Sequence, residues 1–430
     1  MGTAGIKGAF VKLREWIRDC LGFAWAAAWL CRNMGCLRHG QVYLMWPHSF
    51  GHTVLGLDMG ARIWHPLKVV LIYFVDETSS RKNNYLPLCF EASFDSVIIG
   101  TNGSRGWIRA KYMGVRKLIF WANAIKKNHL EVFEHAPILG RMDLYFDKSE
   151  SRYKQFIEQT GQLGVYHDPG NFEVMSRNSD AAPRLSTRLL GHIRSNPQLQ
   201  RTGFFRKPFV TLLLRERGKE DENYYNYIRC SGPQKNYRDA VIFLVKNGFH
   251  VVGTGETNHD VFRDIPEYFI PEEWGLHPEL ANIFALTEAA LFIGQHSGPF
   301  YLPNSCGVPV LLCDVMPYWQ ATSRSEDLLV YKKLFTREGR HITPVEVFRE
   351  HKDFAYGRCP EKSGFEVQDS TSREILAGAQ EMVHRIRGGL EISRADRELI
   401  VTYRENLPRD MLIGKVKNRP PLELLREYYQ

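Results

Sequence analysis

The stretch that most restricts the fold is residues 285–314, ALTEAALFIGQHSGPFYLPNSCGVPVLLCD. An alanine-rich helix end leads into the apolar run Ala289–Ile293, followed by the polar turn Gly294-Gln295-His296-Ser297-Gly298-Pro299. Phe300–Cys306 predicts a short helix that Gly307 stops, and Val308–Cys313 predicts a second apolar strand. Two unbroken apolar strands around a helix mark a βαβ unit of a parallel sheet, whose strands are buried on both faces. Ligands of such sheets sit at the carboxyl ends of the strands. The turn there holds two glycines that let a ligand approach the backbone, and His296 and Ser297 offer hydrogen bonds. The helix beyond it aims free N–H groups and a positive dipole end at the same spot, where an anion is stabilised. The turn therefore reads as a phosphate seat.

The remainder of the chain repeats the theme. Val42–Trp46, Lys68–Val75 and Phe94–Ile99 read as strands, with Leu118–Trp121 and Met142–Phe146 as further short apolar runs. They alternate with helical stretches, which predicts an α/β domain. Residues 165–205 are poor in apolar side chains and carry Pro169, Gly170, Pro183 and Pro197, the composition of a connection with helical pieces. Phe209–Leu214 opens a second series. A helix over Lys235–Gly248, ended by its glycine, leads to the strand Phe249–Val252 and the bend Gly253-Thr254-Gly255-Glu256; Leu328–Val330 closes the series. Thr371-Ser-Arg-Glu374 is a capping box opening a helix to Arg387, and a last helix fits Leu422–Tyr429. The expected organisation is a helical segment over 1–40, α/β domains with linker over 41–205 and over 206–350, and a helical tail over 351–430.

Charge and cysteine usage narrow the partners. The formal net charge is +8, which favours anionic ones. No Lys/Arg-rich arm or zinc-finger spacing is present, which argues against nucleic acid. The eight cysteines are scattered, and Cys31 and Cys36 have no second pair to complete a metal site. That usage fits a reducing, cytosolic compartment. The N-terminal run Cys20–Cys31 is short of the ~20 residues a span needs. With Lys7, Lys12, Arg14 and Arg18 before it and Trp16, Trp25 and Trp29 near or within it, it suits either a helix lying in the inner-membrane interface or one packed on the first domain.

Two further constellations join the phosphate seat. Arg215 and Arg217, alternate residues in Leu214-Arg215-Glu216-Arg217-Gly218, share a side of a strand end, where guanidinium groups can grip a phosphate. The bend Gly253-Thr254-Gly255-Glu256 is expected beside them on one sheet rim. Gly51-His52 holds the matching place in the first domain, where His52 is a candidate base toward an acceptor hydroxyl. No Asp-x-Asp, Walker, nucleophile-elbow or kinase signature occurs, so neither a cofactor nor a metal is expected.

At these residues a resemblance enters. Residues 210–256, VTLLLRERG to KNYRDAVIFLVKNGFHVVGTGE, with the Ser-Gly loop of 282–309 and the tail STSREILAGAQEMVHRIRG, resemble a family of bacterial GT-B-type glycosyltransferases associated with surface-carbohydrate gene clusters. The resemblance covers most of residues 41–390. It implies two Rossmann-like domains facing each other across a cleft, and a donor nucleotide held by Arg217, Gly253, Gly255, Ser297 and Gly298. Arg215, Thr254, Glu256, Gln295 and His296 complete the expected donor set. The activity implied is metal-independent transfer of a sugar from a nucleoside-diphosphate sugar to a glycan or lipid-linked acceptor. A sugar-nucleotide 2-epimerase and a non-catalytic nucleotide-sugar-binding protein are the alternatives.

Overall fold

The computed structural model describes residues 3–33, parts of 41–134, then 182–216, 228–255, 259–351 and, with short breaks, 354–429. The chain divides into two compact units, Met1–Asp143 with Asn178–Pro183, and Leu144–Arg177 with Arg184–Gln430. Both are α/β. His52, Arg217 and Glu256, like the run Met142–Phe146, lie outside the described residues.

The first unit opens with the helix α1 (Thr3–Asn33) and carries the strands β1 (Gln41–Met45), β2 (Val70–Tyr73), β3 (Ser96–Ile99) and β4 (Glu131–Glu134). They form a sheet in the order β3-β2-β1-β4, all pairs parallel, with Val42 level with Val70 and Gln41 with Glu131. β4 was not apparent in the sequence because it is four residues long and glutamate stands at both ends. One side of α1 packs closely inside the unit. A Cβ on Gly22 would lie 2.7 Å from the backbone of Ala110, and one on Gly114 would lie 2.8 Å from the Gly22 carbonyl. Lys111 sits 4.8 Å above the Trp25 ring.

The first described elements of the second unit are the helices α2 (Thr187–Arg194) and α3 (Pro197–Arg201), inside the stretch read as a connection. Then come β5 (Phe209–Leu213), α4 (Arg238–Lys246), β6 (His250–Thr254), β7 (Tyr268–Phe269), α5 (Pro278–Thr287), β8 (Leu291–Gly294), α6 (Tyr301–Ser305), β9 (Val310–Val315) and β10 (Leu328–Tyr331). After these follow β11 (Lys333–Phe335), β12 (His341–Ile342), α7 (Pro344–Glu350), β13 (Glu366–Gln368), α8 (Ser372–Ile386), α9 (Arg394–Glu405), α10 (Leu412–Val416) and α11 (Leu422–Tyr428). The main sheet has six parallel strands in the order β10-β9-β8-β5-β6-β7, and β11–β13 make a small antiparallel sheet.

Helices cover both faces of the main sheet, which is why its strands read as unbroken apolar runs. On one face Val210, Leu212, Val251, Leu291, Ile293, Leu311 and Val330 pack with Val241 and Leu244 of α4 and Ile375, Ala379 and Met382 of α8. On the other, the Thr211 hydroxyl donates to the Ala285 carbonyl of α5, and the Phe209 and Phe284 rings are 5.5 Å apart. The tail helix α8 thus belongs to the core of the second unit. Its capping box is formed as the sequence implies, with Thr371 as N-cap and Glu374 reaching back to the Thr371 N–H.

Candidate functional site at the carboxyl rim of the second sheet

Strand order dictates where this sheet can hold a ligand. From β5 the chain steps outward to β6 and β7, then returns to the other side of β5 as β8 and continues to β9 and β10. The β5–β8 boundary is therefore the topological switch point, where crossing helices diverge and leave a crevice beyond the strand ends. Register makes the three expected bends adjacent: Leu213 is level with Thr254 on one side and with Gly294 on the other. Arg215 leaves β5 and Gln295–Gly298 leave β8, so those two bends flank the switch point; Gly255 is one strand away.

A buried polar network holds the rim rigid. The Arg215 N–H donates to Gln295 Oε1 (3.0 Å), and Gln295 Nε2 donates to Tyr237 Oη (2.8 Å). Tyr237 in turn donates to Asp314 Oδ2 (2.5 Å). Asp314 also accepts from the N–H of Gly232 (2.8 Å) and of Ser370 (2.7 Å), and adopts a left-handed φ of 53°. Burial first, and the Asp314 carboxylate second, hold the Tyr237 hydroxyl protonated far above its ordinary range. The same causes keep the Cys313 thiol protonated. From the connection between β5 and α4, Ser231 donates to the Arg215 carbonyl through both its N–H (2.8 Å) and its hydroxyl (3.0 Å). The backbone of Arg215 is thus fixed at both its N–H and its carbonyl, while the residue is only half-buried.

The β8 bend is anchored by a residue that sequence reasoning missed. Arg229 donates through Nε (2.9 Å) and Nη2 (2.6 Å) to the carbonyl of His296. This sets a second half-buried guanidinium across the switch point from the Arg215 bend. The His296 ring lies among Phe300, Tyr301 and Trp319, with centroid distances of 4.9, 5.3 and 5.7 Å. The Ser297 hydroxyl does not cap the turn that follows. That turn is a 3₁₀ segment, Gly298–Phe300, running into the five-residue α6, so the helix expected to point its dipole at the bend is short.

The glycines have intramolecular reasons. Gly253 and Thr254 belong to β6 rather than to a turn. A Cβ on Gly253 would lie 1.8 Å from Tyr268 Oη and 2.7 Å from His259 Nδ1, so the space its missing side chain leaves is filled by the chain itself. Gly255 has a φ of 105° and would place a Cβ 2.4 Å from the Leu214 carbonyl, so the packing of neighbouring strand ends demands glycine there. Gln295, read as a ligand contact, is fully buried and its amide bridges Arg215 to Tyr237. The rim atoms nearer solvent come from Arg215, Glu216, Arg229, Gly255 and Gly298. Asp314, Tyr237 and Arg229 carried little signal, although an aspartate directly after Leu311-Leu312-Cys313 marks a buried carboxylate at a strand end. Among the described residues no cluster of three or more His, Cys, Asp or Glu side chains is placed to hold a metal ion.

No family model matches the chain, and no curated protein matches it. Solved structures similar to it include a glycosyl transferase of family 9 from Veillonella parvula, at 13% identity over 63% of this chain and 79% of that one, with a TM-score of 0.37. The ADP-heptose LPS heptosyltransferase II of E. coli is 12% identical over 73% of this chain and 98% of its own, with a TM-score of 0.37. The heptosyltransferase TibC, from enterotoxigenic E. coli, is 14% identical over 81% of this chain and 77% of its own, again at 0.37. Likenesses this distant carry no weight for the activity, which is read from the chain's own rim.

Proposed function

We propose that this protein is a GT-B-type glycosyltransferase that moves a sugar from a nucleoside-diphosphate sugar to a glycan or lipid-linked acceptor in bacterial surface-polysaccharide synthesis. The observation that carries the reading is the pair of arginines, Arg215 and Arg229, both from the connection after β5, with Arg215 at the end of β5 and the Arg229 guanidinium on the His296 carbonyl of the neighbouring β8 bend, at the switch point of a parallel sheet. A departing diphosphate gains negative charge as the glycosidic bond breaks. Guanidinium groups held in place before the reaction stabilise that charge without reorganising. The buried Gln295–Tyr237–Asp314 network supplies the rigidity, since it fixes the backbone from which Arg215 projects. In this reading Ser297 and Gly298 belong to the same seat, no metal takes part, and the roles proposed for Arg217 and His52 are phosphate ligand and base for the acceptor.

Thermal-shift screening against GDP-, UDP-, CMP- and ADP-sugars tests the proposal, because a ligand bound only by the folded state adds stability with the logarithm of its concentration over Kd. One base should stand out. Arg215→Ala and Arg229→Ala should each weaken that ligand about tenfold or more, the worth of one charge-assisted hydrogen bond. No stabilisation by any nucleotide sugar, or unchanged affinity in both variants, removes the donor site. A changed nucleotide sugar released without acceptor would instead identify an epimerase.

A further inference from the structure

The helix α1 carries a surface that the rim chemistry does not use. Leu13, Trp16, Ile17, Cys20, Leu21, Ala24, Ala28 and Cys31 recur at helical spacing and are all exposed. Leu13 is 51% exposed, Trp16 65% and Leu21 52%, and Phe23 borders them. The stripe runs from Leu13 to Cys31, about 27 Å along the helix axis. The opposite side of the same helix is the one packed within its unit, through Gly22 and Ala26 against Ala110 and Gly114. So the apolar stripe is not the packing face of this helix.

Its charges are one-sided. The helix holds five basic residues, Lys7, Lys12, Arg14, Arg18 and Arg32, against two acidic ones, Glu15 and Asp19, a surplus of three. Arg18 lies 3.9 Å from Glu15, while Arg14 and Arg32 are exposed along one border of the stripe. No described helix is long and apolar enough to cross a membrane. An exposed apolar stripe about the length of a bilayer core, with basic residues on its border and its opposite side held against the rest of its unit, is the pattern of a helix that presents one face to a headgroup layer and lies in its plane.

We propose that α1 docks the protein onto an anionic lipid surface, with Leu13, Trp16, Ile17 and Leu21 entering the headgroup–acyl boundary and Arg14 and Arg32 meeting lipid phosphates. A second copy of the chain is the less suitable occupant, because it would bring a like basic border rather than a neutralising one. The inference stands independently of the donor site. It is tested by floating the full-length protein with vesicles of phosphatidylcholine alone and of phosphatidylcholine with phosphatidylglycerol. The protein should float with the anionic vesicles, less so at high salt. Trp16→Glu with Ile17→Glu, at two exposed positions, should leave the melting temperature unchanged and lower binding by roughly tenfold or more. Arg14→Glu with Arg32→Glu should reduce binding to anionic vesicles and leave neutral ones unaffected. Failure to float, or flotation untouched by the Trp16/Ile17 pair, overturns the proposal. So does a dimer in light scattering that this pair abolishes without any lipid binding, because the stripe is then a protein interface.

Discussion

Replacing Asp314 by alanine should be among the most damaging single changes in the second unit. The carboxylate accepts from two buried backbone N–H groups, Gly232 and Ser370, and from the Tyr237 hydroxyl. Alanine leaves those three donors facing a small void, and each buried orphan costs about 1–3 kcal/mol. Water entering the void recovers part of this, so the expected loss is roughly 3–6 kcal/mol against a typical total of about 5–15. Alanine gains nothing from the backbone, because it tolerates the φ of 53° less well than aspartate does. Asp314→Asn keeps the shape and the tolerance of that conformation while turning one acceptor into a donor, so it should cost about half as much. Calorimetry or denaturant melts should rank wild type above Asn above Ala, with the alanine variant melting about 10 °C lower. A loss for Asp314→Ala under about 1 kcal/mol, or equal losses in both variants, would refute the claim that the carboxylate clamps the rim.

Three other consequences can be measured directly. Burial pushes Asp327 up to about 7, above an ordinary carboxylate, so the unfolded chain ionises first as pH rises. The stability this proton contributes is full below about pH 4, falls away between about 4 and 7 and is absent above, an effect on the order of 4 kcal/mol. Asp327→Asn should flatten that part of the stability–pH curve while still accepting from the Val310 N–H, and an unchanged slope refutes the assignment. Gly253→Ala must displace Tyr268 and His259 and should cost about 1–3 kcal/mol. Intact stability with lost nucleotide binding would show instead that the glycine makes room for a ligand. Thr371→Ala removes the N-cap of α8 and should cost about 1 kcal/mol, with Thr371→Ser nearly neutral; an equal loss in both would show that the hydroxyl is not what matters.

Much of the second unit was readable because its strands are buried on both faces. Val210–Leu214 and Leu291–Ile293 could be little else, and Gly307 and Gly248, both left-handed, end the helical stretches expected before them. The small antiparallel sheet escaped because its strands are two or three residues long, and α9 because its surface is largely polar and it buries little beyond Ile400 and Tyr403. At the rim, local sequence pointed to the polar stretches after β5 and β8, which strand pairing makes neighbours, but it read Gly253 and Thr254 as a bend where they complete β6. Sequence could not say what fills the space at Gly253, since Tyr268 and His259 approach it only after β7 pairs with β6. Nor could it reveal Asp314 as the hub, because its partners stand 56, 77 and 82 positions away.

The most direct test of the donor seat is a structure of the protein with the nucleoside diphosphate that the screen selects. The diphosphate should lie beyond the ends of β5 and β8, with phosphate oxygens about 3 Å from the guanidinium of Arg215 or Arg229. A nucleotide bound at the amino ends of the strands, or anywhere out of reach of both arginines, would contradict the account.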